Sequence, residues 1–331
     1  MSQTTSGTWP VHAIKGRPDP ELLQDITALA TAANESDGNP PLSEQTLVNL
    51  RAADSDETTM LGFATYIPEE ESGPAGDGSL AGIAVVSLDR RAQREDSRPH
   101  GVLELVVHPN YRNQGIGTAL VARLQQTTDL AGLQAWSHGG HEAAAKLAER
   151  YRFTPVRELW RMRLTRDAQP RELHYELPDG VELRPFVPGQ DEQAWLEVNA
   201  AAFVDHPEQG ATTLNDLKAR MDEDWFDPQG FLLAVRDGEL LGFHWTKVHP
   251  RSGSHPALGE VYVVGVAPQA QGLGLGKALT VAGIEYLHQQ GLNAIMLYVE
   301  ADNEAAVALY RGLGFTRWDV DVMYGPQEKD A

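Results

Sequence analysis

The chain has 331 residues, a formal net charge of −20 and no cysteine. That length suits two domains better than one, the acidic balance argues against a nucleic acid or an anionic membrane as partner, and the missing thiols exclude disulfides, thiolate metal sites and a cysteine nucleophile. Met1–Pro10 carries neither a basic segment nor an apolar run and no stretch reaches membrane-spanning length, so a soluble, cytoplasmic, monomeric protein is expected.

In chain order, Asp19-Pro20 reads as a cap and first-turn proline opening a helix to about Ala33. Asp37-Gly38-Asn39-Pro40-Pro41 breaks it, and Ser43 caps a second helix through Arg51. Met60–Ile67 and Leu80–Ser87 read as strands, and Arg90–Pro99 as a mobile surface connection. The apolar run Val102–Val107 meets a loop with Arg112, Gly115 and Gly117 in the spacing Gln/Arg-x-x-Gly-x-Gly. Polar, proline-containing residues Thr165–Gly180 read as a linker, giving an expected division into 1–165, a linker 166–180, and 181–331.

Beyond it, Val181–Phe186 is a strand, Asp191–Phe203 and Thr213–Trp225 are helices, and Phe231–Val235 with Leu240–Val248 form a hairpin around Asp237-Gly238. The apolar run Val261–Val266 leads to a second glycine loop, with Gln271, Gly274 and Gly276 in the same spacing, and to a helix over Ala278–Gln289. Ala294–Val299 is the next strand; Asn303 caps a helix over Ala305–Gly312 that ends before Gly314-Phe315. The loops lie 159 residues apart (Gly115 to Gly274) and the closing Phe-Thr pairs 162 (Phe153 to Phe315), which marks two copies of one unit.

A strand, a tight glycine loop and a helix start present free backbone N–H groups and the positive end of a helix dipole to an anion such as a pyrophosphate. A Walker loop is excluded because Ala278 follows Gly276-Lys277, and a dinucleotide fingerprint because Gly272, Gly274 and Gly276 alternate strictly. The loop, the strand after it and the Asn-led helix with Tyr310 together resemble the GNAT-type acyl-CoA N-acetyltransferases. That resemblance implies an α+β fold of two tandem domains, each a mixed, mainly antiparallel sheet flanked by helices, and acetyl-CoA as acetyl donor. It implies cofactor contacts from Val264, Gly265, Val266, Gln271, Gly272, Leu273, Gly274, Leu275, Gly276 and Lys277, and from Asn303, Glu304, Ala305, Ala306, Val307 and Ala308. In the first copy, Leu105, Val106, Val107, Asn113, Gln114, Gly115, Ile116, Gly117 and Thr118 would hold a second acetyl-CoA.

Amine acetylation needs a base for the ammonium proton and a donor for the departing thiolate. Glu260 is the carboxylate placed for the first, against the reading of a solvated strand-end glutamate; Tyr310 and Tyr298 compete for the second, against a packing role. At matching offsets the first copy has Gly101, Trp136 and Ala148 where the second has Glu260, Tyr298 and Tyr310, so it keeps the loop without these ionisable groups and is expected to be inactive. Segments around Asn199–Gly210, Trp225–Pro228, Leu241–Pro250 and Gly259–Val263 further resemble the mycothiol synthase family. This implies acetyl transfer to the cysteinyl amine of a pseudodisaccharide, cysteinyl-glucosaminyl-inositol, with Glu208, Lys247, Glu260 and Tyr298 as contacts and Glu44, with Asp37 as alternative, reaching from the first copy. His206, His244 and His249 lack metal-ligand spacing, so no metal is expected. Rival readings are acetylation of another amine, such as a protein N-terminus or an aminoglycoside, and a non-catalytic acyl-CoA-binding module.

Overall fold

A computed structural model describes residues 9–51, 58–68, 79–89, 101–168, 173–204, 206, 209–251 and 255–327. The strands are β1 (His12–Lys15), β2 (Thr58–Tyr66), β3 (Leu80–Asp89), β4 (Gly101–Val107), β5 (Leu133–Ser137), β6 (Phe153–Thr165), β7 (Glu182–Pro185), β8 (Phe231–Arg236), β9 (Glu239–His249), β10 (Leu258–Val266), β11 (Ala294–Glu300) and β12 (Thr316–Pro326). The helices are α1 (Pro20–Asp37), α2 (Glu44–Arg51), α3 (Ile116–Gln125), α4 (Glu142–Arg150), α5 (Glu192–Ala202), α6 (Leu214–Met221), α7 (Leu275–Gln289) and α8 (Glu304–Gly312). They form two compact units, residues 1–159 with 319–331, and residues 160–318.

In the first unit β1 to β4 pair as antiparallel neighbours, β5 lies parallel to β4, and β12 lies antiparallel to β5 through Val322↔Ser137 and Met323↔Trp136. Period-two alternation sends Ile83 and Val85 of β3 toward Ile26, Leu29 and Ala33 of α1, and Ala84 and Val86 toward Ile116, Leu120 and Leu124 of α3. A strand covered on both faces is apolar throughout, which is why β3 reads as a run rather than an alternation. Helix α1 runs past Ala33 to Asp37, capped by the Asp19 carboxylate and closed by Gly38 at φ 69°.

In the second unit β7, β8, β9 and β10 pair as antiparallel neighbours, β11 lies parallel to β10, and β6 is the other neighbour of β11. The β8–β9 turn puts Asp237 and Gly238 at φ 54° and 81°, the left-handed pair that matches strand twist in a two-residue hairpin. Val281, Ile284 and Leu287 of α7 pack on Val261, Ile295 and Leu297. Helix α6 ends at Met221, short of the expected Trp225, and starts at a reciprocal Thr213–Asp216 capping box.

The compact units divide differently from the expected 1–165 and 181–331. Leu173, Tyr175 and Leu177, inside the expected linker, pack on the second unit's core. Residues 319–326 join the first unit because β5 would otherwise be an open edge, whose backbone groups β12 satisfies. The stretch 90–99 lies outside the described residues.

Candidate active site

Strand β10 organises the second unit. Glu260 stands within the strand, 5% exposed, opposite Lys247 of β9, so both side chains leave the same face. A solvated strand-end glutamate, the alternative reading, does not describe it. His249, two residues beyond Lys247 and hence on that face, holds Nε2 within hydrogen-bond distance of Glu260 Oε2, 2.6 Å away. Burial pushes the Glu260 carboxyl up, but the hydrogen bond with His249 and the charges of Lys247 and Arg161 outweigh it and hold the group below the usual carboxylate range. The Lys247 ammonium stands 4.3 Å from the Trp225 ring centroid and 5.1 Å from that of Tyr262, whose hydroxyl accepts from Arg220 Nε at 2.9 Å. The Arg161 guanidinium stacks on Trp318 at 4.6 Å and on Tyr298 at 5.7 Å.

The register of β10 on β9 shifts between Val261 and Val263, a one-residue bulge at Tyr262. The parallel ladder to β11 ends at Val261↔Leu297, although β10 continues to Val266 and β11 to Glu300. Ala267 N donates to Leu241 O, on the β9 side, at 2.8 Å. Alternation therefore turns the N–H groups of Val264 and Val266 the other way, into the opening between β10 and β11. Beyond β10, Gly272 and Gly274 take φ 78° and 77°, and α7 begins at Gly274 with no side-chain cap. Helices α1, α6 and α8 each have a side-chain cap, whereas the first-turn donors of α7 are left facing the loop, a cradle that fits a pyrophosphate. The Asn303 side chain caps α8 by accepting from Ala306 N at 3.1 Å. Tyr310 packs against Phe315, ring centroids 5.8 Å apart, and burial pushes its phenol up to about 12.

The sequence profile of the Acetyltransferase (GNAT) family matches residues 28–153 and again 195–315, so it covers more than half of the chain in two copies. This chain belongs to the GNAT acetyltransferase family. It is an acetyl-CoA-dependent N-acetyltransferase built of two GNAT domains. The mycothiol acetyltransferases of Paenarthrobacter aurescens (63% identity, all of both chains) and Pseudarthrobacter chlorophenolicus (62%, 96% of each) are similar along their whole length. Among solved structures, a GCN5-related N-acetyltransferase from Sphaerobacter thermophilus matches at TM-score 0.60 with 27% identity over 96% of each chain. A tandem GNAT protein from the clavulanic acid biosynthesis pathway matches at 0.66 with 20% identity over 96% of this chain and all of its own.

The first GNAT copy repeats the layout with a different outcome. Its ladder between β4 and β5 stops at Glu104↔Trp136 while β4 runs on to Val107, and α3 begins at Gly115, φ 88°, without a side-chain cap. A cavity of about 390 Å³ opens there, lined by Leu105, Val106, Val107, Asn113, Gly115, Ile116, Gly117 and Thr118 among others. The residue expected opposite Glu260, Gly101, is corrected, and a buried carboxylate stands elsewhere on the strand. Strand β4 pairs with β3 without a bulge, so correcting the loop offset for the extra residue in β10 brings Glu260 opposite Val102, not Gly101. Two residues along, on the same face, Glu104 is 1% exposed. It accepts from Ser43 N (2.9 Å), Ser43 Oγ (3.2 Å) and His138 Nε2 (2.7 Å). The other ring nitrogen of His138 meets Asp321 Oδ2 at 2.9 Å, and Asp321 Oδ1 accepts from Gly139 N at 2.9 Å. Burial works against the imidazolium, but the two carboxylates push His138 up to about 10. No sequence signal marks this cluster, because Asp321 lies 183 residues from its partner.

Of the remaining expected contacts, Glu44 is a half-buried first-turn residue of α2 in the first unit. Its alternative, Asp37, is engaged by Arg112 through two hydrogen bonds of 2.7 Å. Glu208 lies outside the described residues; next to it, Gln209 Nε2 donates to buried Asn199 Oδ1 at 2.9 Å. His244 is a core residue, Nδ1 on Leu279 O at 2.7 Å, and burial lowers it to about 4. Among the described residues no group of three or more His, Asp or Glu side chains is arranged to hold a metal ion, and no helix is long and apolar enough to cross a membrane.

Proposed function

We propose that the second unit transfers the acetyl group of acetyl-CoA to the cysteinyl amine of cysteinyl-glucosaminyl-inositol, giving mycothiol and CoA. The observation that carries the reading is one strand bearing both a buried carboxylate, Glu260, and two outward amides, Val264 and Val266, directly before an uncapped glycine loop. The choice of acceptor is supported by full-length likeness to relatives named mycothiol acetyltransferase.

An amine with a pKa of about 7.7 to 8.0 is mostly protonated at neutral pH, so Glu260 first takes its proton, directly or through water. The amides of Val264 and Val266 polarise the thioester carbonyl as the C–N bond forms. Tyr310, which burial keeps protonated, donates to the sulfur as the C–S bond breaks, and the second proton that the nitrogen sheds in becoming the amide restores the phenol. Lys247, fixed over two rings, and Tyr298 donate to sugar or inositol oxygens, and Glu208 accepts from hydroxyls.

We further propose that the first unit binds acetyl-CoA in its 390 Å³ cavity without turning it over, because Glu104 already accepts from Ser43 and His138. Release of CoA thiol tests the acceptor: turnover is expected with cysteinyl-glucosaminyl-inositol and none with glucosaminyl-inositol lacking cysteine. Equal turnover of both, or turnover of a protein N-terminus instead, would move the function to another amine.

A further inference from the structure

We infer that His249 passes to solvent the proton that Glu260 takes from the acceptor, so that the two side chains work as one base. The inference rests on the reading of Glu260 as the base for acetyl transfer.

A base must release its proton before the next turnover, and Glu260 is poorly placed to do so alone. Its side chain is 7% exposed, whereas that of His249, 2.6 Å away, is 35% exposed. The imidazole thus links a sealed carboxylate oxygen to water. The other charged groups acting on this carboxylate are Lys247 of β9 and Arg161 of β6. Ammonium and guanidinium groups offer donors and no lone pair, so neither accepts a proton from it. His249 has a ring nitrogen that does. The hydrogen bond with His249 and the charges of Lys247 and Arg161 hold the Glu260 carboxyl below its ordinary range, which disfavours keeping the proton there.

The step balances without a further reactant. The ammonium N–H bond breaks and its proton goes to Glu260; the carboxyl O–H bond breaks as His249 Nε2 accepts that proton; Nδ1–H releases one to water. One proton leaves for each C–N bond formed, and tautomer exchange with water readies the ring again. Register explains the pairing: Glu260 lies opposite Lys247, and His249 is the next residue of β9 on that face.

The experiment compares kcat, KM and their pH profiles for wild type, His249→Gln and His249→Ala, with NMR of the His249 ring nitrogens in acceptor-free protein. Glutamine keeps a donor for Glu260 but does not titrate. The expected result is a kcat at least tenfold lower in His249→Gln with KM for acetyl-CoA unchanged, loss of the acidic limb that follows ring titration in wild type, and partial recovery of His249→Ala by added imidazole. Wild-type kcat and pH profile retained in His249→Gln would overturn the inference. If wild type fails on the cysteinyl acceptor, the proposed function falls and the pair is judged by NMR. A ring that titrates, and whose titration moves in Glu260→Gln, supports a shared proton; a ring fixed in one protonation state from pH 5 to 9 refutes it.

Discussion

Glu260 and Glu104 are both buried carboxylates bonded to a histidine, yet they suit opposite tasks. Glu260 faces one imidazole that reaches solvent; Glu104 accepts from Ser43 and from a histidine held on its far side by Asp321. The second arrangement is a clamp, and its pH dependence follows from its sign. A histidine raised from about 6.5 to about 10 adds stability fully present below pH ~6.5 and lost as pH rises toward 10. The melting temperature of wild type should therefore exceed that of His138→Gln most at pH 6 and the gap should shrink by pH 10; a constant gap would mean the ring is not charged. For catalysis, Tyr310→Phe removes the proposed acid while keeping the ring on Phe315, and should lower kcat about 10²-fold or more with little change in KM. If Tyr298→Phe has that effect instead, the acid is Tyr298. Glu260 was legible because it precedes an apolar run into a glycine loop; His249 was not, because facing residues on β9 and β10 become visible only with the register.

At the scale of elements, the glycine loop was the most legible part of the chain, since its alternation states a backbone need. Gly115 and Gly274 hold φ 88° and 77°, and a Cβ added at either meets no atom within 4 Å, so a side chain there suffers conformational strain without a clash. A left-handed alanine costs about 1–2 kcal/mol, roughly a tenfold effect. Gly274→Ala should raise KM for acetyl-CoA by about that factor, whereas Gly115→Ala should leave steady-state kinetics unchanged; kinetics show which loop serves turnover, and the reverse pattern would assign catalysis to the first unit. The hairpin at Asp237-Gly238 was legible for the same reason. Less so was the end of α4, where Arg152 adopts φ 59° in the place that Gly314 fills at 97° in the other copy. The β12–β5 pairing was not legible: nothing local in residues 319–326 says which edge they complete.

Over the whole molecule, the repeat was visible as two loops 159 residues apart, and it misled at one point for a physical reason. A constant offset assumes equal strands, and the bulge at Tyr262 inserts one extra residue in β10, so Glu260 falls opposite Val102 rather than Gly101. The family profile on both copies and the likeness of whole chains agree with one duplicated acetyltransferase. In the proposed function the second unit performs the chemistry, with Glu260 as base. The most direct test is CoA release from acetyl-CoA and cysteinyl-glucosaminyl-inositol by wild type and by Glu260→Gln, an isostere that keeps hydrogen-bonding capacity but not charge. A fall in kcat of about 10²- to 10⁴-fold, with acetyl-CoA still bound, is the predicted result. Undiminished turnover in Glu260→Gln would show that Glu260 is not the base.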